Sequence, residues 1–341
     1  MIIYQIYTNF QEKMFEKILN LKGGSFSKTE VLRFDNKDLR VRKLISIEHE
    51  REFGLVRWQS QIRKIQQLKQ ILPENIPSII SMGVYNKNFY YEIPYYENSE
   101  NLFQYLSKCD SFESKKIFEK LIPLIEEYSR FKYGTIQGSV AVFFFEEVIN
   151  RLEIAKNKIA DNQSQLYLSK DEIKYIKSLI KDFTKIKSKI FSYLQKEEVE
   201  ECLTHGNLTL ENILYDNCTS NIIMIDPYSE TYSEILIGDI SQLLQSAASN
   251  YEQINEQKEE IGTSLLNEIN LDVPVGMKCF KELLDNYINE NFEKDKLLMD
   301  IMHGAQFIRM FPFKFNLDPK LAFYFLKLGI KIIIDGINVK L

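Results

Sequence analysis

Histidine is scarce in this chain. Three occur among 341 residues, His49, His205 and His303, so chemistry that needs several imidazoles is excluded. Cysteine is sparse too: Cys109, Cys202, Cys218 and Cys279 lie far apart and form no CxxC pair. That removes the usual signature of a structural zinc site, and isolated thiols fit a reducing compartment. Glycine and proline are few, at 13 and 8, which points to long helices and few turns. Basic charge is not in excess. The 43 Lys+Arg stand against 48 Asp+Glu, a net charge of −5 spread along the chain, so nucleic acid is not an expected partner. The most apolar tail segment, Leu321 to Ile337, is broken by Lys327, Lys331 and Asp335. A membrane-spanning helix needs about 20 mostly apolar residues without such charges, so this stretch reads as a core helix. Met1 to Tyr7 lacks the basic segment and small-residue cleavage site of a secretion signal. The cytoplasm is the expected location.

What is present is enough for a real core. The chain is 45% hydrophobic and carries 19 Tyr and 23 Phe, sufficient for one large or two medium domains. Periodicity and turn signals divide it near residue 94. In the first part, Phe10 to Leu21 has helical spacing and ends at Lys22-Gly23-Gly24-Ser25-Phe26-Ser27. Two β-rich runs follow, Thr29 to Phe34 and Leu39 to Ile45, joined by Asp35-Asn36-Lys37-Asp38, a hairpin signal. Ile47 to Ile71 is helical, and Ser78 to Val84 with Asn88 to Ile93 reads as a second strand pair. From residue 95 to 341 the spacing is mostly helical, with segments that include Ser111 to Phe131, Phe145 to Asp161, Lys170 to Lys196, Leu236 to Glu268 and Lys294 to Met310. The Lys/Glu-rich helices between Lys156 and Glu201 read as solvated faces. The predicted class is α+β, a small sheet with one long helix ahead of a larger helical part.

One interruption in the helical part carries chemistry. Thr204-His205-Gly206-Asn207-Leu208-Thr209-Leu210-Glu211-Asn212 is a loop that enters a strand, and the apolar strand Ile222 to Ile225 then ends in Asp226-Pro227. This pattern brings an amide oxygen (Asn212) beside a carboxylate (Asp226). Hard oxygens of that kind suit Mg²⁺, which binds through one or two carboxylates plus substrate phosphates. Lys43, near a strand end, offers a point charge for nucleotide phosphates. The Gly23-Gly24 turn offers backbone amides to the same phosphates.

His205-Gly206-x-Leu208-x-x-x-Asn212-Ile213-Leu214, with Ile225-Asp226 downstream, resembles the catalytic and metal loops of the aminoglycoside phosphotransferase and choline kinase group. The resemblance implies a two-lobed protein-kinase-like fold, with an N-lobe over 1–94 and a C-lobe over 95–341, using ATP and Mg²⁺ on a small-molecule hydroxyl. Residue by residue, it implies that Lys43 pairs with the α/β-phosphates. Gly23, Gly24, Ser25 and Ser27 would roof the nucleotide, Asn212 and Asp226 hold the metal, and His205 brace the loop. Tyr91 to Tyr96 would form the hinge, where backbone groups near Glu92 meet adenine, although Pro94 lacks a backbone donor. For the helix acid paired with Lys43, Glu48, Glu50 and Glu52 are the candidates, with Glu52 favoured. Asp226-Pro227-Tyr228-Ser229-Glu230, Gly238 to Ser246 and Arg309-Met310-Phe311-Pro312 further resemble a bacterial branch found with capsule and surface-polysaccharide loci, which implies a sugar-like acceptor.

The departure from that family is Asn207, which stands where the family has an Asp. An amide hydrogen-bonds an acceptor hydroxyl but does not take its proton at neutral pH. Three readings of Asn207 stay open. It marks a slow kinase or a pseudokinase that binds nucleotide or a partner enzyme; it is an engineered Asp→Asn; or another acid, such as Glu211 or Glu230, serves instead. Outside the motifs, Trp58 shares helical spacing with Leu55 and Ile62 and reads as a core anchor.

Overall fold

The computed structural model describes residues 15–21, 27–34, 38–47, 51–161, 168–229, 234–256 and 265–340. Two compact units are present, one built from residues up to Glu100 together with Ile213–Ser229, the other from Asn101–Asn212 and the remainder.

The first unit starts with β1 (Phe15–Leu21), β2 (Ser27–Phe34) and β3 (Leu39–Ser46). The helical spacing over Phe10 to Leu21 is overridden by tertiary pairing: Phe15 to Leu21 is a strand, antiparallel to β2 from Phe15↔Phe34 to Leu21↔Thr29. Residues 10–14 lie outside the described set. Helix α1 (Arg51–Ile71) precedes β4 (Ser81–Tyr85) and β5 (Asn88–Pro94). The β4–β5 turn is held by Asn86 and Lys87, at φ 45° and 60°, the left-handed pair of a tight hairpin. These five strands form one antiparallel sheet in the order β1-β2-β3-β5-β4. Alternation then sorts the side chains by face. Val41, Lys43 and Ile45 of β3 share a face with Phe89, Tyr91 and Ile93 of β5. Helix α1 packs on that face: Trp58 stacks on Phe89 with centroids 5.3 Å apart, and its indole N–H donates to the Tyr90 carbonyl at 2.9 Å. Gly54 makes the approach possible, since a Cβ there would sit 2.6 Å from the Ser46 carbonyl oxygen. The short strand β6 (Ser99–Asn101) comes next.

The second unit opens with α2 (Leu102–Leu106) and α3 (Ser111–Ser129), each capped by the preceding Asn101 or Asp110 side chain. Strand β7 (Lys132–Gln137), α4 (Ser139–Phe144), a π-helical turn at Phe145–Ile149, α5 (Asn150–Asp161), α6 (Lys170–Leu194) and β8 (Glu198–Cys202) follow. Strands β7 and β8 pair with each other, a pairing the spacing of the sequence did not signal. The chain then returns to the first unit with β9 (Ile213–Asp216) and β10 (Ile222–Met224), antiparallel through Ile223↔Leu214.

The helical stretch expected from Leu236 onward is divided into α7 (Leu236–Ala247) and α8 (Tyr251–Glu256), with Asn250 at φ 52° between them. Helices α9 (Val275–Asn291), α10 (Lys296–Arg309), α11 (Phe311–Leu317) and α12 (Pro319–Lys340) complete the unit. Phe307 of α10, Phe311 of α11, and Phe323 and Phe325 of α12 are fully buried, and Phe307 and Phe325 lie 5.4 Å apart. No described helix is long and apolar enough to cross a membrane, and all four cysteines are free.

Candidate active site

In the first unit, β3 and the segment after β10 meet on the α1 face of the sheet. Lys43 Nζ donates to Asp226 Oδ1, and Gln61 Nε2 of α1 donates to the same oxygen at 2.7 Å. Lys43 is buried, and that burial pulls its ammonium below the ordinary lysine value; Asp226 opposes the shift and Arg57 adds to it. The Arg57 guanidinium lies over the Tyr228 ring at 4.9 Å. Burial also holds the Tyr91 phenol well above its usual value, reinforced by Asp226. Asp226 itself has φ 57°. A non-glycine residue in the left-handed region carries strain of the kind that clusters at functional sites.

The alternate face of the same strands holds a different network. Glu92 accepts from Arg42 Nε and Nη2 at 2.9 and 2.6 Å and from Arg40 Nη1 at 3.2 Å. Its carbonyl accepts from the Ile80 N–H at 2.8 Å. Glu92 is thus a mid-strand residue whose side chain and carbonyl are both engaged within the sheet. Ser27, half-buried, opens β2 opposite Ile45. Gly23, Gly24 and Ser25 lie outside the described residues, as does the side chain of Glu52, whose backbone sits in the first turn of α1.

In the second unit, the loop over 203–212 is bonded to one face of α7. Asp239, Gln242 and Ser246 recur at helical spacing. The Asp239 carboxylate accepts the His205 and Gly206 backbone N–H groups and the Tyr128 hydroxyl, each at 2.7 Å. Gln242 accepts the Leu208 N–H through Oε1 and donates to the Gly206 carbonyl at 3.0 Å. Ser246 accepts the Leu210 N–H at 3.1 Å and donates to the buried carboxyl of Glu252 at 2.6 Å. Burial raises the Glu252 carboxyl to about 7; the Ser246 bond works against this and Glu211 with it. Gly206 has φ 74°, a backbone that glycine adopts without cost. His205 is fully buried.

At the loop's end, Asn212 Nδ2 donates to the Asn207 carbonyl at 2.9 Å and to Thr209 Oγ1 at 3.1 Å. That commits the amide nitrogen inward and leaves Oδ1, a hard oxygen, as the group to offer. Among the described residues no cluster of three or more His, Cys, Asp or Glu could hold a metal. A carboxylate and an amide oxygen are instead the donor set for a hard cation that draws its other oxygens from phosphates and water, so Asp226 and Asn212 fit Mg²⁺ by donor chemistry. Of the resemblance-derived residues, Lys43 and Asp226 are bonded in the first unit, and His205, Asn207 and Asn212 share one loop in the second. Arg309, from the downstream motif, lies 3.9 Å from Glu147 of the π-helical turn.

Sequence reasoning missed Gln61 and the roles of Asp239, Gln242 and Ser246. Gln61 was visible as a polar residue on the stripe Trp58, Gln61, Ile65, Leu68, where it is 1% exposed. The α7 residues carried the same signal, three polar groups at i, i+3 and i+7 in a helix otherwise rich in Ile and Leu.

The chain matches no family model, and no curated protein matches it. Solved structures do resemble it over nearly the whole length. A glucosamine kinase solved with glucosamine, ADP and inorganic phosphate aligns at TM-score 0.51 with 9% identity, over 93% of both chains. The choline kinase LicA from Streptococcus pneumoniae aligns at TM-score 0.50 with 14% identity, over 94% of both chains. A structure from Haemophilus somnus assigned to the fructosamine-3-kinases aligns at TM-score 0.51 with 17% identity, over 95% of this chain and 91% of that one. The fold is protein-kinase-like. With the five-stranded antiparallel sheet first and the helical part after it, the chain is an α+β protein of that class.

Proposed function

We propose that this protein is a phosphotransferase that uses ATP and Mg²⁺ to phosphorylate a hydroxyl of a small, sugar-like molecule. The observation that carries the reading is the Lys43–Asp226 bond, reinforced by Gln61, on one face of a kinase-type sheet. In this reading Lys43 binds the α/β-phosphates, and Gly23, Gly24, Ser25 and Ser27 cover the nucleotide. Backbone groups of the segment from Tyr91 to Tyr96, near Glu92, meet the adenine. Gln61 holds the Asp226 carboxylate in place, and Glu52 is the helix acid that pairs with Lys43. Asp226 and Asn212 hold Mg²⁺, which when bound supplies neutralisation of phosphate charge.

Asn207 orients the acceptor hydroxyl by hydrogen bonding, and His205 braces the loop that α7 grips. Phosphoryl transfer depends mainly on positioning and charge stabilisation. General-base help is worth roughly 10²–10⁴-fold, so its loss at Asn207 leaves a slow kinase. The likeness of 226–230, 238–246 and 309–312 to the surface-polysaccharide branch supports a sugar in that biosynthesis as acceptor, and the four free thiols support a reducing, cytoplasmic setting. The domain division proposed from the sequence, 1–94 and 95–341, accompanies this reading.

Asn207 supports a second reading, a pseudokinase that binds nucleotide without turnover and acts on a partner enzyme. The test is ATP consumption with Mg²⁺ over a panel of amino sugars, sugars and choline, for this chain and for Asn207→Asp. Turnover by this chain supports the enzyme; nucleotide binding without turnover by this chain, whether or not Asn207→Asp turns over, supports the pseudokinase.

A further inference from the structure

Helix α6 carries a basic face that the proposed chemistry does not use. Lys170, Lys174, Lys177, Lys181 and Lys185 are all exposed, and at 100° per residue they fall within an arc of about 80°. Lys189, also exposed, continues the line. The opposite face, with Ile176, Ile180, Phe183, Ile190 and Leu194, is buried in the unit. Along one side of the stripe, α5 and α6 enclose a groove of about 450 Å³. Ile159 and Ile180 line it together with Thr184, and Lys156, Lys177, Lys181 and Lys185 surround them. Nearby carboxylates partly balance this charge: Lys156 bonds to Glu153 and Lys185 to Asp182, both at 2.6 Å. In a chain of net charge −5, such a row is a local reversal of sign.

Charge complementarity selects an anionic partner, and composition narrows its kind. The helix has no arginine, and none of its aromatic residues is exposed. Arginine forks and exposed aromatic platforms are what proteins use to read or stack nucleic acid. Lysines are sufficient to approach a charged bilayer, and an apolar groove between them suits the glycerol and upper acyl region of a lipid. We propose that this face of α6, with the groove beside α5, docks the protein on an anionic phospholipid surface.

The full chain is mixed with phosphatidylcholine vesicles with and without phosphatidylglycerol, and sedimented at low and high salt. Binding is expected only with the anionic lipid and is expected to fall as salt rises. Each lysine near an anionic bilayer is worth about fivefold in binding. Lys174→Glu/Lys177→Glu/Lys181→Glu should therefore lose binding by at least roughly 100-fold, with unchanged circular dichroism and thermal midpoint. The same three positions changed to Gln should give a smaller loss, which guards against misfolding of the Glu variant. No sedimentation with anionic vesicles at low salt would overturn the proposal. So would full retention by the Glu variant, or binding to transfer RNA without binding to vesicles.

Discussion

Lys43 on β3 and Asp226 just after β10 are 183 positions apart in sequence, and the lysine donates to the carboxylate. The pair is largely withdrawn from water, with side-chain exposures of 8% and 24%. Buried ion pairs are weak sources of stability, because desolvation offsets most of the attraction. A pair kept under those terms, with strain at the aspartate, points to work beyond holding the fold.

Lys43→Met separates the two roles. Replacing the buried ammonium by an apolar side chain leaves Asp226 without its cation, but that carboxylate is 24% exposed and keeps the Gln61 bond, so urea stability is expected to fall by less than in Asp226→Ala. ATP binding should weaken by roughly 10–100-fold, the worth of a hydrogen bond to a charged group. Isothermal titration with Mg²⁺ and ATP measures it. Asp226→Ala should instead destabilise by about 3–5 kcal/mol, since it leaves the Lys43 charge buried without that partner.

Asp239 fixes the loop backbone. Asp239→Ala removes the acceptor for two buried N–H groups and for Tyr128, so a loss of about 2–4 kcal/mol is expected in chemical denaturation. Tyr128→Phe removes one of the three bonds and should cost about 1 kcal/mol.

Two buried groups give opposing pH slopes. Burial lowers His303 to about 3, so its contribution is present above its unfolded value of about 6.5 and is lost as pH falls. Burial raises Glu252 to about 7, so its contribution is present below its unfolded value and is lost as pH rises through about 7. Each slope is about 1.4 kcal/mol per pH unit, and between roughly pH 4.5 and 6.5 they offset. Urea midpoints should therefore be nearly flat there for these two groups. In Glu252→Gln stability should fall as the solution is acidified, and in His303→Phe it should rise.

Gly54→Ala tests the seating of α1. Alanine is the better helix former by about 1 kcal/mol, yet its Cβ would press on the Ser46 carbonyl. Overpacking of this kind costs about 1–3 kcal/mol, so the thermal midpoint should drop rather than rise.

The paired runs around Asp35–Asp38 and Tyr85–Lys87 announced β2 to β5, because turn chemistry and alternation are local. Strand β1 was hidden, since its partner β2 and not its own spacing decides its state. The loop over 205–212 and Asp226 stood out as candidates because their residue types and order form a pattern that can be read locally. Gln61 and Asp239 did not, because a buried amide or carboxylate declares itself only through what it touches. The acceptor is beyond the sequence for another reason: specificity in a shared fold lives in site contacts that no spacing encodes.

The proposed phosphoryl transfer takes place at the loop that carries Asn207. The direct measurement is transfer of the ATP γ-phosphate to an amino sugar or sugar panel, with Mg²⁺, by this chain and by Asn207→Asp. Slow turnover by the chain and a gain of roughly 10²–10⁴-fold in the aspartate variant is the predicted result. Absence of transfer by both proteins, while both bind ATP, would contradict it.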